Sequence, residues 1–490
     1  MAHGNLGKVL QDLGRLDDAF AAYQTALALE PENTTVLMNL GAALLERKQW
    51  GAAAETTKLA LAQSPDSGRA WANLANAQLN LNQYDAALES CRRAIANPPI
   101  PPVMASSLGG VMLELGFMQD AVTLCLYAAT QQPELADAHF NLSHAYKGLN
   151  RLAEAEQSAR AAIALRPDSA TYHFHLAHIL LLQGELADGW EEYEWRWNMP
   201  DFTWAEPVRA QRPQWQGEDI SGQTLLIFSE QGIGDNIQFV RYVEMAAARA
   251  GHVLLALRPN MRRLFTKIPH ITIVALEDAA VQNFDVQCGL LSLPRAFQTR
   301  QDTIPAHIPY LEPNPGDVKI WKRRLGKSTL RVGIVWAGNP LTRRDRFRSP
   351  GLAHVAKLFD IPDVNFVVLQ MGHGRDELAE HPLPAHVLDL GPEITDLADT
   401  AAIMANMDLV ISSCTAPLHL AGALGVRSWA MLPFAPHFPW LLGRTDSLWY
   451  PSMKLYRQDQ PGLDWSSTID RIAADLSAWR TSLGSKNFFS

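Results

Sequence analysis

With 490 residues, 47% apolar and 19% charged, the chain has material for roughly three cored domains and is too apolar to be disordered. A net charge of −9, from 42 Lys+Arg against 51 Asp+Glu, excludes the basic face that sequence-independent nucleic-acid binding requires. Four cysteines without CxxC spacing encode neither a disulfide framework nor a zinc knuckle. No apolar run reaches the roughly 18 residues of a membrane span, and the start lacks a leader pattern, so a cytoplasmic chain without a membrane span is expected.

The first 200 residues repeat themselves. Pro31, Pro65, Pro99, Pro133 and Pro167 each follow the last by 34 positions. Ala19, Ala53, Ala87, Ala121 and Ala155 keep the same step, as do Ala26, Ala60, Ala94, Ala128 and Ala162. Leu6, Leu40, Leu74, Leu108, Leu142 and Leu176 do so too, mostly followed by Gly, Ala or Ser. Small residues let two helices of one unit cross closely, and each proline stops the second helix before the next unit starts. Five whole units and an altered sixth are predicted. Cys91 and Cys125 share a repeat position with Tyr23 and Tyr193, which marks them as core fillers.

A 34-residue period with small residues at fixed offsets and a closing proline resembles the tetratricopeptide repeat. Asn5, Asn39, Asn73, Ser107, Asn141 and His175 also recur at this step. An amide both donates and accepts, so stacked Asn39, Asn73 and Asn141 form a candidate ladder for the backbone of an extended protein acceptor. The alternative is an interhelical hydrogen bond inside each repeat. Similar asparagine ladders line the groove of the O-linked N-acetylglucosamine transferases.

Beyond residue 186 the sixth unit departs into Trp190-Glu-Glu-Tyr-Glu-Trp-Arg-Trp197, an aromatic helix expected to cap the solenoid, so the repeats are assigned to residues 1–198. Residues 199–221 hold several prolines and read as a partly ordered linker. Two sets of short apolar runs follow, in residues 222–314 and 328–484. Thr224–Phe228, Val253–Leu257 and Ile271–Ala275 belong to the first, and Arg331–Trp336, Asn365–Gln370, Leu409–Ser413 and Ser428–Leu432 to the second. Helical patterns lie between them, so two Rossmann-like halves with parallel sheets are predicted. The fold class is an α-solenoid followed by an α/β pair with a ligand cleft at the strands' carboxyl ends.

Three motifs fall at predicted strand ends. Glu230-Gln-Gly-Ile-Gly-Asp-Asn236 is a strand-to-helix turn in which Gly232 and Gly234 permit close backbone approach. Asp235 is there either a helix cap or a proton acceptor for an attacking hydroxyl. Trp336-Ala-Gly-Asn339 leads into Arg343, Arg344, Arg346 and Arg348, either an exposed loop or a phosphate-holding cluster. Ile411-Ser-Ser-Cys-Thr-Ala-Pro-Leu-His419 places Ser413, a capping Thr415 and His419 at a helix N-terminus suited to a pyrophosphate, with His419 alternatively structural. Cys414 reads as packing. No Asp-x-Asp is present, so no metal-bound sugar nucleotide is expected.

In this order, Gln231–Asp235, Val335–Asn339 with Asp345-Arg346, Thr400–Ala402 and His419–Gly425 resemble a GT-B glycosyltransferase of the heptosyltransferase type. Leu432–Pro436, Trp440–Arg444 and Trp449–Pro451 extend the likeness. Bacterial proteins that fuse tetratricopeptide repeats to such a domain, flagellin glycosyltransferases among them, are similar over essentially the whole chain. That resemblance implies sugar transfer from a nucleotide sugar to a Ser or Thr of a flagellin-like protein acceptor, without metal or other cofactor. It places the acidic base on Asp235 and the donor on Gly232, Gly234, Asn339, Arg343, Arg346, Arg348, Ser413, Thr415 and His419. The family commonly has an aspartate where this chain has Cys414. The rival reading is a non-catalytic repeat scaffold with an inactive GT-B domain. Transfer to lipopolysaccharide core sugar is disfavoured, because the repeats offer a groove for peptide.

Overall fold

The computed structural model describes residues 2–265, 271–327, 330–340 and 345–486. Residues 1–172 and 173–490 form two compact units.

The first unit is a helical solenoid. Its second helices open at Leu16, Trp50, Tyr84, Met118 and Leu152, and its later first helices at Thr34, Gly68, Pro102 and Ala136, on the predicted 34-residue step. Ala19, Ala53, Ala87, Ala121 and Ala155 are all fully buried at the helix crossings. The reason is geometric: a Cβ on Gly7 would lie 2.6 Å from the Tyr23 ring, on Gly41 2.7 Å from Thr57 Oγ1, and on Gly109 2.3 Å from Cys125 Sγ. Small residues on the first helix thus make room for the Tyr23, Thr57, Cys91 and Cys125 column on the second. Both cysteines are free and buried, and burial pushes their thiols up to about 12, as core fillers require.

The second unit opens inside the helix Ala170–Gln183, and the aromatic segment expected to cap the solenoid packs here. Trp190 meets Phe239 and Phe438, and Trp197 meets Phe228. The predicted linker is packed as well. Trp215 is buried, its N–H donates to Gln287 O at 2.8 Å, and Gln287 N–H donates to Pro213 O at 3.1 Å.

Two all-parallel sheets follow. The first comprises β1 (Ile220–Phe228), β2 (Ala250–Leu257), β3 (Ile271–Ala275) and β4 (Val286–Gly289), in the order β3-β2-β1-β4. The second comprises β5 (Arg331–Val335), β6 (Asn365–Val368), β7 (Leu388–Asp389), β8 (Leu409–Ser413), β9 (Ser428–Leu432) and β10 (Met453–Arg457), in the order β10-β9-β8-β5-β6-β7. That is the doubly wound order, with its reversal between β5 and β8. Val332, Ile334, Val368, Leu409, Ile411 and Met431 form its core. Buried Arg241, from the first half, ties the halves together by donating to Trp449 O at 2.8 Å, and within its own half donates to Tyr310 Oη at 2.9 Å.

Candidate functional site

The turn after β1 is built on a buried ion pair. Arg196, fully buried, grips Glu230 with Nε at 2.8 Å and Nη2 at 2.7 Å, and also donates to Glu194 Oε1 at 2.8 Å and Ser292 Oγ at 2.7 Å. β4 must end on a glycine for this to fit, since a Cβ on Gly289 would lie 2.5 Å from Glu230 Oε1. Asn236 then staples the loop: its Nδ2 donates to Glu230 O at 2.7 Å and Gly232 O at 2.6 Å. Gln231 takes a positive φ of 53°, a region most side chains avoid, and Tyr193 Oη holds its Oε1 at 3.0 Å.

This frame aims Asp235. Its Oδ2 accepts from Gly232 N–H at 3.1 Å, so the capping alternative holds in part. Desolvation, with a smaller push from Glu230, raises its carboxyl to about 6, against the pull of the Gly232 N–H and of Arg348. The group is therefore ionised at neutral pH with a basicity matched to proton abstraction. Gly234 presses on the second half: a Cβ there would lie 2.9 Å from His419 Cδ2 and 3.5 Å from Ala416 Cα. The first and third motifs thus meet face to face.

The loop after β5 closes a third side. Asp345, buried, holds Arg348 Nε at 2.6 Å and Ser349 Oγ at 3.0 Å, while Gly338 N–H donates to Ser349 Oγ at 3.0 Å. A Cβ on Gly338 would strike Asp345 Oδ1 at 2.4 Å, Thr415 Cγ2 at 2.8 Å and Arg348 Nη2 at 3.0 Å. Gln370 sets the strand end, its Oε1 accepting from Trp336 and Ala337 N–H at 3.0 Å each. Arg348 thus lies beside Gly338 and Thr415, and its charge favours the ionised forms of both Asp235 and Cys414.

At the third motif two expectations change. Thr415 occupies the N-cap position of the helix Ala416–Ala423 without a side-chain cap bond, and its hydroxyl reaches Ser413 O at 3.4 Å instead. Its methyl lies against Gly338; in the first turn Pro417 has no N–H and Leu418 N–H donates to Thr415 O at 3.0 Å, which leaves the Ala416 N–H as the donor without a partner among the described residues. His419 is buried, with Nδ1 2.9 Å from Tyr450 Oη and its ring beside Trp440, and desolvation followed by the nearby Arg241 charge lowers it to about 3. It is a neutral imidazole, so it offers a phosphate a hydrogen bond at most and no charge. Ser413 is fully buried and its Oγ has no partner among the described residues. Cys414 is no nucleophile: desolvation raises its thiol to about 11, and its Sγ accepts from Trp440 Nε1 at 2.8 Å.

The structure therefore brings Gly232, Gly234, Asp235, Arg348, Ser413, Thr415 and His419 together. Asn339 is exposed at the strand end, Arg346 lies 4.6 Å over the Phe347 ring, and Arg343 falls outside the described residues. Sequence reasoning missed the Arg196–Glu230 pair, the Asp345 brace of Arg348, the role of Tyr450, and Arg457. Glu230, Asp345 and Tyr450 lay within recognised motifs, but nothing in a single sequence pairs them with their partners. Among the described residues, no group of three or more His, Cys, Asp or Glu side chains is placed to hold a metal, and no helix is long and apolar enough to cross a membrane.

The asparagine column in the first unit is a different kind of site. Asn73 Nδ2 donates to Met38 O at 3.1 Å and Asn141 Nδ2 to Ser106 O at 3.1 Å, so each bonds the first helix of the preceding repeat. The bond expected as the alternative exists, but between repeats and not within one. It fixes the amide and leaves the Oδ1 of Asn73 and of Asn141 without a partner among the described residues, able only to accept. Asn39 is buried and its Oδ1 already accepts from Arg69 Nη2 at 2.8 Å.

Family models for the tetratricopeptide repeat match residues 5–68, 58–99 and 136–169. The N-terminal repeats are tetratricopeptide repeats. Protein FlbA of Caulobacter vibrioides is 29% identical over 323 residues, which cover 61% of this chain and 53% of that protein. The chain thus spans about half the length of the curated relative it matches. Among solved structures, YrrB, a tetratricopeptide-repeat protein with an unusual peptide-binding site, is 22% identical with a TM-score of 0.28, covering 35% of this chain and 89% of its own. A thermophilic tetratricopeptide-repeat protein of Thermus thermophilus, TTC0263, is 22% identical with a TM-score of 0.33, covering 37% of this chain and 98% of its own.

Proposed function

We propose that the chain is a GT-B glycosyltransferase that moves a sugar from a nucleotide-sugar donor to a side-chain hydroxyl of a protein acceptor recruited by its tetratricopeptide repeats. The observation that carries this reading is the meeting of the Asp235 turn with the Thr415–His419 helix N-terminus, with Arg348 alongside. An acid raised to about 6 and an anion-binding edge share one crevice there.

In this reading the acceptor oxygen attacks the anomeric carbon while Asp235 takes its proton. The bond from that carbon to the phosphate oxygen breaks with inversion, and the electron pair leaves on the nucleoside diphosphate. Arg348, braced by Asp345, and the Ala416 N–H at the start of the helix Ala416–Ala423 receive the developing charge. The neutral His419 orients the helix turn against Gly234 and hydrogen-bonds Tyr450. A Ser or Thr hydroxyl and a flagellin-like acceptor are what the resemblance to flagellin glycosyltransferases adds. Asn73 and Asn141 offer that acceptor two fixed carbonyl oxygens for its backbone N–H groups.

A thermal-shift panel of UDP-, GDP-, ADP- and CMP-sugars tests the reading directly, because a ligand that binds the folded chain raises its Tm. One stabilising donor, followed by transfer of its sugar to protein, is the expected result. No shift with any of the four would leave a repeat scaffold with an inactive transferase domain.

A further inference from the structure

Strand β10 ends on Arg457, and the register of the sheet locates it. Ser413 of β8 is opposite Met431 of β9, and the next residue, Leu432, is opposite Arg457. The arginine therefore stands at the carboxyl edge of the sheet, two strands from Ser413, at about 4.8 Å per strand. Its Nη2 donates to Trp440 O at 2.7 Å and its Nε to Arg444 O at 3.3 Å. Trp440 in turn donates from Nε1 to Cys414 Sγ at 2.8 Å, so the guanidinium sits behind the residue that precedes the N-cap.

Among the described residues, no carboxylate pairs with this guanidinium. Its Nη1 is buried without a partner among the described residues, and the nearest like charge, Arg444, has its own partner in Asp446 at 2.7 Å. Desolvation lowers Arg457 to about 10, still charged at neutral pH. On the other side of Cys414 stands Arg348, whose charge Asp345 offsets. Arg457 therefore adds a positive charge, unpaired among the described residues, at the carboxyl edge of the sheet, two strands from buried Ser413, whose hydroxyl also lacks a partner among them. Arg457 as a whole is partly exposed, with its Nη1 buried, and the anion this guanidinium lacks is one a ligand can supply.

We propose that Arg457 is a positioning residue that charges the floor of this site for the diphosphate of the donor. This rests on the glycosyltransferase reading. The guanidinium acts through its field across Cys414 and does not touch the ligand. It therefore favours the diphosphate and is indifferent to the base and ribose.

The test is calorimetric titration of the full chain with UDP, GDP, ADP and CDP and with the matching nucleosides, for the wild type, Arg457→Gln and Arg457→Lys. The wild type is expected to bind one diphosphate well above its nucleoside. Arg457→Gln should lose at least about tenfold in affinity for that diphosphate with nucleoside affinity unchanged, and Arg457→Lys should keep most of the preference. Equal losses for diphosphate and nucleoside, or no loss, would overturn the assignment and leave Arg457 a clamp on the Trp440 and Arg444 carbonyls. Should Arg457→Gln fail to fold, Arg457→Lys decides: it keeps the charge but not the fork, so loss of the diphosphate preference would refute a role through charge. A wild type that binds none of the four diphosphates sinks the transferase reading itself, an outcome distinct from both.

Discussion

Glu230 and Asp235 lie five residues apart on one turn and have opposite fates. Glu230 is fully buried against Arg196, bonded at 2.7 and 2.8 Å, and also accepts from Leu291 N–H at 3.1 Å. Asp235 accepts from the backbone, bonds no cation among the described residues and has a proton affinity raised by its surroundings. The same contrast separates Arg196, with every nitrogen engaged, from Arg457, with one buried nitrogen left over. A saturated buried charge holds the fold, whereas an unsaturated one at a cleft marks where a ligand completes the pairing.

The sharpest way to break that contrast is to exchange the two acids' consequences. Glu230→Gln removes one of the two carboxylates that compensate buried Arg196, leaving Glu194, and should cost about 3 kcal/mol of stability, read by denaturant unfolding. A loss under 1 kcal/mol would mean the pair is not structural. Asp235→Asn should leave folding and donor binding within about twofold and lower transfer by about 10³-fold, in single-turnover assays with a labelled sugar. Retained turnover would remove Asp235 as the base.

pH sharpens the comparison. Because the carboxyl of Asp235 is raised to about 6, its base form is lost below that value, so kcat/KM should fall tenfold per pH unit there and level off above it. The native state holds this proton more tightly than the unfolded chain does. Wild-type stability should therefore decline relative to Asp235→Asn as pH rises from about 4 to about 6. An unchanged acid limb in a residually active Asp235→Asn enzyme would assign the titration elsewhere.

Smaller effects bear on the repeats and on Cys414. Replacing Asn73 and Asn141 together by Ala removes the fixed acceptor oxygens and should raise KM for protein acceptor several-fold, leaving donor hydrolysis unchanged. A parallel fall in both would make the column purely structural. Cys414→Ser should change transfer by less than about twofold, since a hydroxyl also accepts from Trp440 Nε1; loss of activity would restore a chemical role to the thiol.

Much of this organisation was legible in the sequence. The repeats declared themselves because helix crossings demand small residues at fixed offsets, and the structure puts those alanines at zero exposure. β8 and β9 run Leu409–Ser413 and Ser428–Leu432 as expected, since central parallel strands are continuous apolar runs. β4 was missed because buried Gln287 interrupts it with a polar side chain, β7 because two residues make no pattern, and β10 because Lys454 on its exposed face hides the run. The motif turns were found, but not what braces them. Arg196 meets Glu230 across 34 residues and Arg457 nears Cys414 across more than 40, distances over which one sequence carries no pairing signal. The hydroxyl of Thr415 was expected to cap its helix, and the close approach of Gly338 turned it away.

On the transferase reading, Arg241 governs how far the two halves part. Swinging the two halves apart would strip the guanidinium of Trp449 O, a penalty of about 2 kcal/mol for a cation in the interior. Wide gaping is therefore a rare excursion, and nucleotide exchange should proceed by threading through a narrow slit, at a pace governed by side-chain rearrangement and nearly insensitive to solvent viscosity.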